Sequence, residues 1–209
     1  MRAHLRRSRR RWTLGAAAAL ALAAAGCARN PEPAATPDTT VAMGDLSGAE
    51  IMVLPASRVA DAQDPEGLAQ TLDAEIEYWS RDRSAALAWT FPSELERVVA
   101  RSPSLGVPLR ALPVGALRRS PDFVADPLLG HLRRLGAVAN RRLALLPWRT
   151  ELVTLEGSTE EALRVHLVLV DTHGGRVLWR GAVLGEGGAP GHPATAASTA
   201  RALARMLLP

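Results

Sequence analysis

Residues 163–184 read LRVHLVLVDTHGGRVLWRGAVL. Leu163, Val165, Leu167 and Leu169 alternate with Arg164, His166, Val168 and Val170. Side chains two apart in a strand share a face, so this spacing builds one wholly apolar side. Asp171-Thr172-His173-Gly174-Gly175 then supplies a turn, because glycine takes positive φ without a Cβ clash. Val177–Leu184 returns as the partner strand. The stretch predicts a β-hairpin with a buried face, and the rest of the chain supplies what buries it.

After the hairpin, Glu186–Pro193 reads as a Gly/Pro loop. Ala196–Leu208 follows as an amphipathic helix that turns Ala200, Leu203 and Leu207 inward. Before it, Arg142–Leu155 reads as a strand in which Pro147 demands an edge position or a bulge. Asp126-Pro127 opens a helix with Leu128, Leu129, Leu132 and Leu135, ending at Gly136 or shortly after. Residues 104–125 show little periodicity and read as loop, with at most a short helix around Val114–Arg118. Pro92 starts a helix through Leu95, Val98 and Val99 that stops near Ser102-Pro103, and Ala86–Phe91 reads as a strand before it. Asp64-Pro65-Glu66 caps a helix whose Leu68, Leu72, Ile76 and Trp79 share one face. Ile51-Met52-Val53-Leu54-Pro55 is a short apolar run stopped by proline, as in a buried strand. Strands and helices so interspersed predict an α/β fold: one sandwich domain over residues 45–209, a mixed β-sheet with flanking helices, closed by the hairpin and a helix.

The chain has 209 residues, of which 22% are charged and 47% hydrophobic, enough for one substantial core. Its net charge is +4 and its pI about 10.7. A basic protein raises nucleic acid as a partner, but the charge is unevenly placed. Every one of the 25 basic residues is Arg, and six of them precede residue 12. No acid occurs before Glu32, so removing residues 1–26 leaves 19 Arg against 21 acids, a net of −2. Nucleic acid therefore drops out of the expected partners.

That first segment has the organisation of an export signal. Met1–Arg11 is strongly positive, and Trp12–Ala25 is an uncharged run of fourteen residues. Fourteen residues are too few for a spanning helix, which needs about twenty, and suit the apolar region of a signal peptide. Ala24-Ala25-Gly26-Cys27 ends it with small residues before the only cysteine. This ending resembles the bacterial lipobox, with Ala24 where Leu is usual. The resemblance implies cleavage between Gly26 and Cys27 and lipidation of the Cys27 thiol, with palmitate among the acyl chains. Several acyl chains anchor far more firmly than one. Ser8-Arg9-Arg10-Arg11-Trp12 resembles a twin-arginine signal, with Thr13 in place of the common Leu, so Sec and Tat export both stay open. Ala28 in place of Asp favours the outer membrane by resemblance to the sorting rule of enteric bacteria. Residues 27–44 then form a proline-rich tether between anchor and domain.

No nucleophile elbow, phosphate loop, dinucleotide-binding turn or zincin motif appears. His131, His166, His173 and His192 show no ligand-pair spacing, so neither metal nor cofactor is expected. His166 alternates with Arg164 and is expected on a solvated strand face. Asp61 and Asp64 follow the first strand, where open α/β sheets bind ligands; a helix cap at Asp64 is the simpler account. Glu160-Glu161 reads as a solvated turn. Three doublets, Arg118-Arg119, Arg133-Arg134 and Arg141-Arg142, are either solvated faces or a patch for anionic lipid, glycan or an acidic partner. Trp79, Trp89, Trp148 and Trp179 are expected as core pieces with satisfied indole N–H groups, a surface binding position being the alternative.

Three segments carry a resemblance to a family. They are the IMVLP strand (Ile51–Pro55), LRRLGA (Leu132–Ala137) and RVHLVLVDTHGGRVLWRGAV (Arg164–Val183). Together they are similar to the domain of CsgG-like and TolB-N-terminal-like lipoproteins of the bacterial envelope. The resemblance implies a non-enzymatic domain that works through protein contacts. Pore-forming members carry long membrane-inserting hairpins, and no second pair of such strands fits here. The expected function is thus a lipid-anchored periplasmic scaffold or accessory module with an envelope protein as partner. The alternatives are an accessory lipoprotein of a transporter or cell-wall synthase, or a hydrolase assembled from distant Ser, His and Asp.

Overall fold

The computed structural model of the chain describes residues 46, 48–81, 87–120, 122–189 and 191–207. The chain divides into two units, residues 1–32 and 33–209, and every described residue belongs to the second. The expected export segment, the expected cleavage and lipidation site at Gly26 and Cys27, and the expected tether lie outside the described residues.

Five strands and four helices follow one another as β1 (Glu50–Val53), α1 (Pro65–Arg81), β2 (Ala88–Thr90), α2 (Pro92–Arg101), α3 (Leu128–Ala139), β3 (Leu143–Thr154), β4 (Glu161–Asp171), β5 (Val177–Leu184) and α4 (Ala194–Leu207). They form one mixed sheet in the order β2-β1-β3-β4-β5. β1 is parallel to both β2 and β3, whereas β3, β4 and β5 run antiparallel. The α/β class expected from the interspersed elements is the one observed.

Alternation decides which residue enters which layer. Ile51 and Val53 join Leu163, Val165, Leu167 and Leu169 in a core beneath α1 and α4. Met52 and Leu54 join Ala144, Leu146, Val168 and Val170 in a second core beneath α2 and α3. A continuous apolar run such as IMVL is what a strand covered on both faces requires. Among the described residues, both cores draw on positions from Leu46 to Leu207. All of these positions lie in the unit from residue 33 onward.

Some boundaries follow the sequence reading and others differ for physical reasons. α3 ends shortly after Gly136, as expected, at Ala139, where Asn140 takes the left-handed cap at φ 51°. Gly136 is there for close approach: a Cβ would lie 2.7 Å from the Arg141 carbonyl oxygen and 2.9 Å from Thr172 Oγ1. Residues 103–118 contain three short 3-10 turns, Pro103–Leu105, Leu109–Ala111 and Val114–Arg118, where one was expected. Each buries little alone, so no helical period shows in the sequence. Pro147 lies in the central strand, at a bulge between Pro147 and Arg149. Leu145 accepts from the Leu54 N–H on the β1 side, and alternation turns Pro147 the same way. β1 has ended by then, so the missing N–H costs no ladder bond.

Candidate functional site

The α3–β3 connection, the start of β1 and the β4–β5 turn meet at one end of the sheet, and two adjoining cavities open among them. One, of about 540 Å³, is lined by Glu50, Arg133, Gly136, Ala137, Asn140, Arg141, Arg142 and His173. The other, also about 540 Å³, shares Glu50 and Arg142 and adds Ala49, Leu143, Asp171, Arg176 and Leu178. Four arginines from three separate segments thus face one cleft.

Each has a different employment. Arg141 is mostly buried; its Nε donates to Thr90 Oγ1 at 2.9 Å and its Nη1 to Glu50 at 3.1 Å and to the Asn140 carbonyl at 3.0 Å. It ties β2, β1 and the end of α3 together. Arg142 makes two bonds to Asp171, at 3.1 and 3.3 Å. That contact, with the His173 N–H at 3.1 Å, holds the Asp171 carboxyl below its usual range. Arg133 spends two N–H groups on the His173 carbonyl, at 2.8 and 3.0 Å. The exposed Arg176 guanidinium has no bonding partner among the described residues. Both acids are matched by an arginine, which leaves Arg133 and Arg176 as uncompensated charge.

Of the three doublets, Arg141-Arg142 and Arg133 of the second pair enter this cleft, while Arg118-Arg119 stand outside it. Arg134 turns to His131 Nδ1 at 2.8 Å, and burial together with that guanidinium lowers the His131 pKa. Asp64 is a helix cap, its Oδ1 accepting from the Gly67 N–H at 2.9 Å. Asp61 takes φ 64° in the loop, away from the cleft. Glu161 is the first residue of β4, its N–H donated to the Gly188 carbonyl, rather than part of a turn.

His166 departs from expectation. It is largely buried, Nε2 lying 3.3 Å from Glu151 Oε1, with its ring 5.7 Å from that of Trp148. Arg149 and Arg164 close on the same Glu151 at 2.7 and 3.9 Å. The second core ends at Trp148, and this polar network takes over the sheet face beyond it. The tryptophans differ too: Trp179 is a core residue, whereas Trp79, Trp89 and Trp148 only pack against the cores. The Trp89 indole N–H is buried with no partner among the described residues.

One buried group escaped the sequence reading. Asp73, on the inner face of α1, accepts from the Ala56 N–H at 2.8 Å and from Arg110 Nη1 at 3.0 Å. Burial nevertheless outweighs both and raises its pKa to about 7. The signal was available: Asp73 sits beside Leu72 and three residues before Ile76, inside the apolar stripe. Among the described residues, no imidazole bonds a Ser or Thr hydroxyl, and no group of three His, Cys, Asp or Glu side chains is placed to hold a metal ion.

No family model matches the chain, and no curated protein does. Among solved structures it is similar to the PelC dodecamer from Paraburkholderia phytofirmans, at 12% identity over 82% of this chain and 94% of that one, with a TM-score of 0.37. It is similar to lipoprotein GNA1162 from Neisseria meningitidis, at 18% identity over 66% and 83%, TM-score 0.38. It is also similar to the LpoB C-terminal domain from Salmonella enterica, at 10% identity over 70% and 93%, TM-score 0.39. No residue role is carried over from any of them.

Proposed function

We propose that this chain is a lipid-anchored lipoprotein of the bacterial cell envelope, held at the outer membrane facing the periplasm. Its α/β domain acts as a non-catalytic scaffold or accessory subunit for another envelope protein, of the kind that serves a transporter or a cell-wall synthase. The observation that carries the reading is the composition of the cleft. Its polar side chains are four guanidiniums, two carboxylates that already hold two of them, the Asn140 amide and the exposed His173 imidazole, with no Ser, Thr or Cys in the lining beside that imidazole. A general base needs a free group within reach of the proton it takes. Asp171 is tied to Arg142 and kept in its charged form, so it is a spectator. Guanidiniums held in place without a nucleophile suit recognition of an anionic surface. The lipobox-like ending at Cys27 and the proline-rich stretch after it support anchorage, and the net charge of −2 beyond residue 26 argues against nucleic acid.

The anchor is tested by substituting Cys27→Ala in the full chain and fractionating cells. Loss from the membrane fraction is expected, and a protein that still partitions with membranes overturns the anchor. Crosslinking in intact cells followed by recovery of the chain is expected to retain one defined envelope protein. Repeated recovery of none overturns the scaffold role.

A further inference from the structure

We infer that the arginine cleft is a membrane-docking face that takes the phosphates of anionic lipid headgroups in the bilayer to which the chain is tethered. The inference rests on the anchoring reading above and adds to it which face of the domain meets the membrane.

Three observations converge on this end of the domain. The first is where the chain enters. Ala49 and Glu50, among the earliest described residues, themselves line the cleft. Cys27 is 22 residues before Ala49, a reach of at most about 70 Å at roughly 3.3 Å per residue. A tether raises the effective concentration of the surface nearest its point of attachment.

The second is charge. Arg133 and Arg176 are uncompensated, and Arg142, at 72% side-chain exposure, remains open to a second oxygen ligand. Guanidinium presents paired N–H donors that match phosphate oxygens. Of the acids near this end, Glu50 is paired with Arg141 and Asp171 with Arg142, while Asp126 accepts from the Gly130 N–H.

The third is apolar. Phe123, 57% exposed, pairs with Arg176 in an isolated antiparallel bridge at the rim of the cleft. Val138, 45% exposed, follows cleft-lining Ala137 on the last turn of α3. These are two of only four large apolar side chains exposed among the described residues. An exposed aromatic ring on a segment paired with an arginine is a composition that suits a headgroup boundary. Arginine at such a surface contributes about 1 kcal/mol, equivalent to roughly fivefold in partitioning.

The test uses residues 33–209, which contain both cores and lack Cys27 and the apolar export segment. Partitioning is measured by flotation with vesicles of phosphatidylcholine alone and of phosphatidylcholine mixed equally with phosphatidylglycerol. Binding to the mixed vesicles only is expected, weakened by salt. Arg133→Glu with Arg176→Glu is expected to lower it by about tenfold or more, and Phe123→Ser to lower it further. Thermal melts establish that each variant is folded, and Arg176→Gln serves as the milder second variant. Equal binding to neutral vesicles, binding to neither, or partitioning untouched by the arginine changes overturns the inference. Complete displacement by dissolved glycerol phosphate overturns it as well, since the site then takes a free anion. Incorporation of labelled fatty acid at Cys27 is followed separately. An unlabelled Cys27 with intact vesicle binding defeats the anchor alone; a labelled Cys27 without vesicle binding defeats the docking face alone.

Discussion

Asp73 is a carboxylate placed where an aliphatic residue would satisfy the helix. Its folded pKa of about 7 lies above the 3.8 of a free carboxyl. A group raised in this way contributes stability that is fully present below pH 4 and is lost as pH rises through about 7. Relative to Asp73→Asn, whose amide oxygen still accepts from Ala56, the parent should therefore lose stability between pH 4 and 8. The difference is on the order of 4 kcal/mol at most, and urea midpoints across that range measure it. A variant with the same pH slope as the parent would show that Asp73 does not titrate in the window.

Two glycines of α3 make a sharper pair. Gly136→Ala puts a methyl against a backbone oxygen at 2.7 Å, which the helix cannot relieve without moving away from β3. It should cost about 1–3 kcal/mol despite alanine's better helix propensity. At Gly130 the nearest atom is Asp126 Oδ1 at 3.3 Å, a side-chain end that accepts from the Gly130 N–H and needs to give by only a few tenths of an ångström. Gly130→Ala should gain about 0.5–1 kcal/mol. Thermal melts that failed to separate the two would refute the close-approach account.

At the scale of elements, α4 is the lid of the first core. Leu203 and Leu207 are essentially inaccessible, and Thr199 Oγ1 reaches across to the Leu163 carbonyl at 3.0 Å. Leu203→Ala should cost about 2–5 kcal/mol through the cavity it leaves. Leu184→Ala, at an exposed position on the edge strand β5, should cost less than about 1 kcal/mol. Chemical denaturation compares the two directly. Most elements were legible because their signals are local: alternation in β4, the proline caps of α1 and α2, the apolar face of α4. What escaped was set by packing. The 3-10 turns at Pro103–Leu105 and Leu109–Ala111 have too few residues to show a period, and the burial of Asp73 depends on what packs against α1.

Across the whole molecule, the cleft is made of segments that lie far apart in the chain. Glu50 and Arg141 are 91 residues apart, Arg133 and His173 forty. Arg141 is the fastener, and Arg142 faces solvent. Arg141→Met should lower stability by about 1–2 kcal/mol, because Thr90 and Glu50 lose a charged partner. Arg142→Met should leave the melting temperature nearly unchanged, since its ion pair is exposed. Equal melting temperatures for the two variants would contradict that division. The doublets showed in sequence that arginines were paired, but not that two of the three pairs would contribute to one cleft while the third stays apart.

The sequence by itself determined the order of strands and helices, the apolar faces and the class of fold, because periodicity and capping are properties of a few adjacent residues. It also carries the export-like segment and the cysteine on which the anchoring proposal rests. Only the tertiary structure decided the strand order, the burial of Asp73 and the meeting of Arg133, Arg141, Arg142 and Arg176. Those depend on crossovers that bring distant segments to one end of the sheet, and no short window of sequence contains all the partners of such a meeting.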